Sequence, residues 1–133
     1  MEIKVVKFGG SSLADAAQFQ KVAKIVKQDP ARRYVVASAP GKRFAEDIKI
    51  TDMLYECYDR AVRGEEIESP FSVIRDRYRQ IIRALGIDLS LEEEFSVIET
   101  GFLCHVGRDF AASRGEYLSA KILSKYLGFH FID

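Results

Sequence analysis

Two short apolar runs rich in β-branched residues, residues 3–8 (IKVVKF) and 34–37 (YVVA), most constrain what this chain can fold into. Both end at glycine or serine and read as strands buried on both faces, the pattern of a parallel sheet. Between them Ala16, Phe19, Val22, Ala23 and Val26 recur at helical spacing, and Asp15 with Gln18 three places on can cap the start of that helix. The result is a β-α-β unit, whose crossover is expected to be right-handed. That geometry puts the Gly9-Gly10 turn at the carboxyl end of the first strand, where open α/β sheets bind their ligands.

Downstream the period changes. Met53, Leu54, Cys57, Tyr58, Ala61 and Val62 form a helical stripe that stops before Gly64. A second helix is predicted from Ser69-Pro70 to Gly86, with Phe71, Ile74, Tyr78, Ile81, Ile82 and Leu85 facing inward. A third starts at Ser90, whose spacing to Glu93 fits a capping box, and carries Phe95, Ile98, Phe102, Val106 and Phe110. Residues 65–112 therefore read as a helical excursion beside the sheet. A last helix over residues 117–127 precedes Gly128 and an apolar run, residues 129–132, that looks like another strand. Three strands are few for so many helices, so the simplest expectation is part of a larger α/β domain.

The 20 basic and 20 acidic residues cancel, which removes any global field toward nucleic acid or an anionic membrane; an anion must be held locally. No apolar run reaches the ~20 residues that span a bilayer, and lysines interrupt the first ten residues where a signal peptide needs apolar ones, so the expected location is cytoplasmic. Cys57 and Cys104 lie in helix-like segments without a second cysteine nearby, and read as reduced packing residues. His105 and His130 have no partner at metal-ligand spacing, and no metal site is assigned.

Residues 4–12, KVVKFGGSS, carry the chemistry. Glycines let a backbone approach phosphate oxygens, exposed amides near a helix N-terminus favour negative charge, and Lys7 adds a full positive charge. The lysine precedes the glycines, so this is neither the P-loop pattern nor a dinucleotide fingerprint. The competing reading is an ordinary strand-to-helix turn with a solvated Lys7. Lys42, Arg43 and Lys49 could attract an anionic ligand or simply be solvated.

KFGGSSLAD at residues 7–15, VVASAPGK at 35–42, ITDML at 50–54 and SRGEYLSAKIL at 113–123 occur together in the order found in aspartokinases, which the chain resembles over essentially its whole length. The opening KFGG is shared among amino-acid kinases, while the Ser-x-Gly-Glu block points to aspartokinase. The resemblance implies the N-terminal part of a catalytic domain with an α/β fold, a three-layer α/β/α sandwich on a mainly parallel sheet, incomplete over residues 1–133. It implies transfer of the γ-phosphoryl group of ATP, with Mg2+, to the side-chain carboxylate of L-aspartate, giving 4-phospho-L-aspartate on the way to lysine, threonine and methionine. It further implies a homo-oligomeric full-length enzyme, with no ACT regulatory domain inside these residues.

Carried over by position, Lys7 is the catalytic charge, and Lys7, Phe8, Gly9, Gly10, Ser11 and Ser38 contact the ATP phosphates. Thr51 and Glu116 contact aspartate. Each has a bland alternative: Ser38 as a turn former, Thr51 as the N-cap of a helix starting at Asp52, and Glu116 as the far half of a capping box with Ser113. Gly115, expensive in a first helical turn, favours a ligand close to the backbone there. In the family the adenine pocket, a Gly-Ser-Asp segment and a substrate-binding arginine come from the second half of the domain, and none can be placed here. Alternatives to aspartokinase are another amino-acid or carbamate kinase, or a non-catalytic binding or assembly module.

Overall fold

The computed structural model describes residues 2–133. Their order is β1 (Lys4–Lys7), a 3-10 turn (Gly10–Leu13), α1 (Ala16–Lys27), β2 (Arg32–Val36), α2 (Ile50–Val62), α3 (Glu68–Leu85), α4 (Glu92–Leu103) and α5 (Arg108–Leu127). The strands pair in parallel, with Val5 opposite Tyr34, Val6 opposite Val35 and Lys7 opposite Val36. The expected α/β class and its β-α-β unit are both present. Asp15 caps α1 as its spacing predicts, its carboxylate accepting the Gln18 amide at 3.0 Å.

Burial on both faces of the strands is not found. Val6, Phe8, Val35 and Ala37 pack into the core, whereas Val5 and Tyr34 are 67 % and 52 % exposed on the other face. β-Branched runs report a fit to extended backbone; which neighbour covers them is a tertiary matter. Residues 129–132 also form no strand. The Phe129 amide donates to Ser124 O at 2.9 Å, closing the end of α5, and the Phe131 ring meets Tyr117 edge-on at 5.6 Å. Only Phe131 is thereby partly covered; Phe129 and Ile132 stay 37 % and 75 % exposed.

The helical boundaries shift in an informative way. The stripe expected to run through Val106 and Phe110 breaks at a turn through His105 (φ 56°) and Gly107 (φ 118°), so α5 begins at Arg108, nine residues before the predicted Tyr117. His105 and the exposed Cys104 thus lie in that turn, while Cys57 is buried as expected and burial pushes its thiol up to about 12. Leu91, not Ser90, occupies the cap position of α4. Phe102 at the centre contacts Tyr58, Phe71 and Phe110 edge-to-face at 5.5, 6.0 and 6.4 Å, tying α2, α3, α4 and α5 into one core. No helix of the described residues is long and apolar enough to cross a membrane.

Candidate functional site

A cavity of about 830 Å³ opens where the 3-10 turn, the loop after β2, the start of α2 and the first turns of α5 meet. Gly10, Ser11, Ser38, Thr51 and Glu116 all line it, although they are up to 106 positions apart in sequence. Lys42 and Lys49 stand on its rim, together with Asp109. Lys7, Phe8 and Gly9 do not line it; they lead into it along β1, with the Phe8 amide donating to Val36 O at 3.0 Å. Lys7 is exposed and forms no ion pair among the described residues.

The turn differs in one respect from the expected strand-to-helix junction. Its amides belong to the 3-10 turn rather than to α1, whose own N-terminus is already satisfied by Asp15. The Ser12 amide returns to Gly9 O at 3.1 Å, while the Gly10 and Ser11 amides have no protein acceptor among the described residues. Two orphan donors at a cavity wall suit an anion.

Gly41 completes the wall and went unassigned in the sequence. Its amide donates to Gly10 O at 2.8 Å, and a Cβ on it would fall 2.7 Å from Gly10 C. The two backbones can meet because Gly41 lacks a side chain, and a Cβ on Gly10 would itself be tight against Ala39 O at 3.0 Å. The Pro40-Gly41 dipeptide was the available signal.

The start of α5 removes the capping-box reading of Glu116. Because the helix begins at Arg108, Ser113 and Glu116 lie in its interior and form no capping box; Ser113 Oγ instead donates back to Phe110 O at 2.7 Å. Glu116 is exposed and lines the cavity. Gly115 has a different reason from the one expected. A Cβ there would sit 2.5 Å from Ala39 Cβ, so the glycine lets α5 press against the loop after β2 rather than admitting a ligand. Tyr78 locks this crossing, its buried hydroxyl donating to Gly115 O at 2.8 Å. The capping role of Thr51 also falls away: α2 starts at Ile50 with Lys49 at the cap position, leaving Thr51 in the first turn.

Of the three basic residues that could attract an anion or simply be solvated, Lys42 and Lys49 line the cavity and Arg43 does not. Arg43 grips Asp47 with Nε at 2.6 Å and Nη2 at 3.0 Å, and that guanidinium holds the Asp47 carboxyl well below the usual carboxylate range. Behind them lies Arg77 of α3, 4 % exposed, which the sequence reading did not single out. Its position three residues after Ile74 and four before Ile81 put a charge in the apolar stripe, and that was the signal to read. The described residues contain no group of three His, Cys, Asp or Glu side chains able to hold a metal.

Residues 2–133 match the sequence profile of the Amino acid kinase family. The chain belongs to that family. Among curated members, Aspartokinase 3 of Bacillus subtilis is 39 % identical over 131 residues, covering 93 % of this chain and 29 % of the relative. Aspartokinase 1, chloroplastic, of Arabidopsis thaliana is 31 % identical over 133 residues, covering 92 % and 23 %. The crystal structure of Clostridium acetobutylicum aspartate kinase superposes with a TM-score of 0.93 at 44 % identity, over 96 % of this chain and 30 % of that one. E. coli aspartokinase III in complex with aspartate and ADP does so with a TM-score of 0.73 at 26 % identity, over 96 % and 29 %. This amino acid kinase chain thus spans less than a third of the length of the relatives it matches.

Proposed function

We propose that the chain is the N-terminal part of the catalytic domain of an aspartokinase, which transfers the γ-phosphoryl group of ATP to the side-chain carboxylate of L-aspartate. The observation that carries this reading is the convergence of Gly10, Ser11, Ser38, Thr51 and Glu116 on one cavity, in a chain similar to an aspartokinase that binds aspartate and ADP. The product, 4-phospho-L-aspartate, is an acyl phosphate that leads toward lysine, threonine and methionine.

In this reading a side-chain oxygen of aspartate attacks the γ-phosphorus as the bond to the β,γ-bridging oxygen breaks and ADP departs. The carboxylate is already ionised at neutral pH, so no general base is needed. What the transfer needs is alignment and neutralisation of the oxygens of the moving group. Lys7 supplies the charge, the Gly10 and Ser11 amides supply fixed dipoles, and Ser38 adds a hydroxyl beside them. Glu116 holds the substrate ammonium and Thr51 its polar neighbour. The described residues offer no group of three His, Cys, Asp or Glu side chains that would hold a magnesium ion of their own.

Steady-state assays of the full-length protein with ATP and aspartate, glutamate, acetylglutamate or carbamate test the reading. Turnover of aspartate is expected, and turnover of another acceptor in its place rejects it. Glu116→Gln removes the charge while keeping the shape, so apparent aspartate affinity should fall at least about tenfold with ATP affinity unchanged. The 133-residue chain alone should bind ATP more weakly than roughly millimolar, because phosphate donors alone leave adenine without partners.

A further inference from the structure

Arg77 reaches out of the helical layer to touch both halves of the cavity from behind. Its Nη2 donates to Ala14 O at 3.0 Å, just beyond the 3-10 turn, and to Gly41 O at 2.9 Å. Its Nη1 donates to Ile48 O at 3.0 Å, one residue before the Lys49 cap of α2, and lies 3.9 Å from Asp47 Oδ2. The loop between residues 41 and 49 has no regular structure and carries Lys42 and Lys49 on the cavity rim. Apart from Arg77, among the described residues it is tied to the turn by one backbone hydrogen bond, Gly41 N to Gly10 O.

We infer that Arg77 is a positioning residue, whose three-carbonyl fork holds the phosphate turn and the loop 41–49 in one fixed relation, so that α3 of the helical excursion sets the geometry of the site. Position 77 lies on the stripe of Ile74, Tyr78 and Ile81, yet its guanidinium is directed at backbone carbonyls of three other segments. An apolar residue would leave three convergent carbonyls without donors. Lysine would carry the charge but present one compact ammonium in place of a planar fork. Reacting groups misplaced by about an ångström can lose about 100-fold in rate, so the fork has leverage on chemistry it does not touch.

This inference rests on the kinase reading for its kinetic arm and on the structure alone for its second. In the full-length protein, Arg77→Met should lower kcat by about 100-fold, with KM values moving less than about threefold, at a temperature where circular dichroism reports the variant folded. Hydrogen exchange should speed up in residues 10–15 and 41–49 while the rest of α1 and α5 stays protected. Arg75→Met on the same helix, which removes ion pairs to Glu68 and Glu99 away from the cavity, should leave kcat and both segments unchanged. If Arg77→Met does not fold, Arg77→Lys decides the matter, with an expected loss of about tenfold in kcat and the same two segments loosened. A folded Arg77 variant with wild-type kcat, or one whose exchange rises evenly over the chain, overturns the proposal. If the wild-type protein does not phosphorylate aspartate, the function reading falls by itself, and the exchange of residues 10–15 and 41–49 still decides whether Arg77 holds them together.

Discussion

The helical layer and the two-stranded sheet of this chain solve opposite problems. Around Phe102, rings from α2, α3, α4 and α5 meet edge-to-face, and nearly every inward position of those helices is buried. The sheet has four ladder pairs, one face on the core and the other open at Val5, Tyr34 and Val36. Yet the candidate chemistry gathers at the sheet ends, where backbone amides are left without partners. Groups that must meet a ligand cannot also be consumed by packing, so their order is borrowed from the helices behind them. Arg77 and Tyr78, successive residues of α3, are the two points where that order is passed across, one to the loop carbonyls and one to Gly115.

If stability lives in the helices, Phe102→Ala should have the largest effect, destabilising the 133-residue chain by about 3–5 kcal/mol in urea unfolding. A cost well below that range would remove the contrast. Next comes the seam between the regions. On helix propensity alone Gly115→Ala should stabilise by up to ~1 kcal/mol, but the 2.5 Å approach of its Cβ to Ala39 should turn this into a loss of about 1–3 kcal/mol. A raised Tm would mean that the crossing of α5 over the loop gives way freely.

The loop supplies a smaller, pH-dependent effect. Arg43 depresses the folded-state pKa of Asp47 from its ordinary 3.8, so the contribution of this pair is fully present above about pH 4 and is lost as pH falls through the depressed value. Asp47→Asn should therefore cost on the order of 1 kcal/mol near pH 7, and the gap to wild type should close in acid. A gap that widened in acid would reverse the assignment. The smallest effect belongs to the open sheet face, where Val5→Thr should change the stability of the chain by no more than about 0.5 kcal/mol. A clearly larger cost in the full-length protein would sharpen the contrast by revealing that further chain covers this face.

What could be read without coordinates followed a local rule. The β-α-β unit came from two β-branched runs and a 3.6-residue stripe, the α1 cap from the spacing of Asp15 and Gln18, and α3 from its inward residues between Pro70 and Gly86. The glycines of KFGGSS placed a turn at the strand end, while its phosphate role came from the family resemblance. The misreadings share a cause. Residues 129–132 have the composition of a strand but pair with none among the described residues, and the Ser113–Glu116 spacing imitates a capping box inside a helix that begins nine residues before the predicted start. Periodicity registers a preference within one segment and carries no information about which surface meets it.

The sequence by itself determined the fold class and the location of the turn, since each depends on chain neighbours a few positions apart, whereas Gly10, Ser11, Ser38, Thr51 and Glu116 were named through the family resemblance. Tertiary structure alone decided that Gly115 is small because of Ala39, that Gly41 is small because of Gly10, and that Arg77 is buried because three carbonyls from separate segments converge on it. Those contacts join residues 29 to 76 positions apart, and only the folded packing brings such pairs within reach.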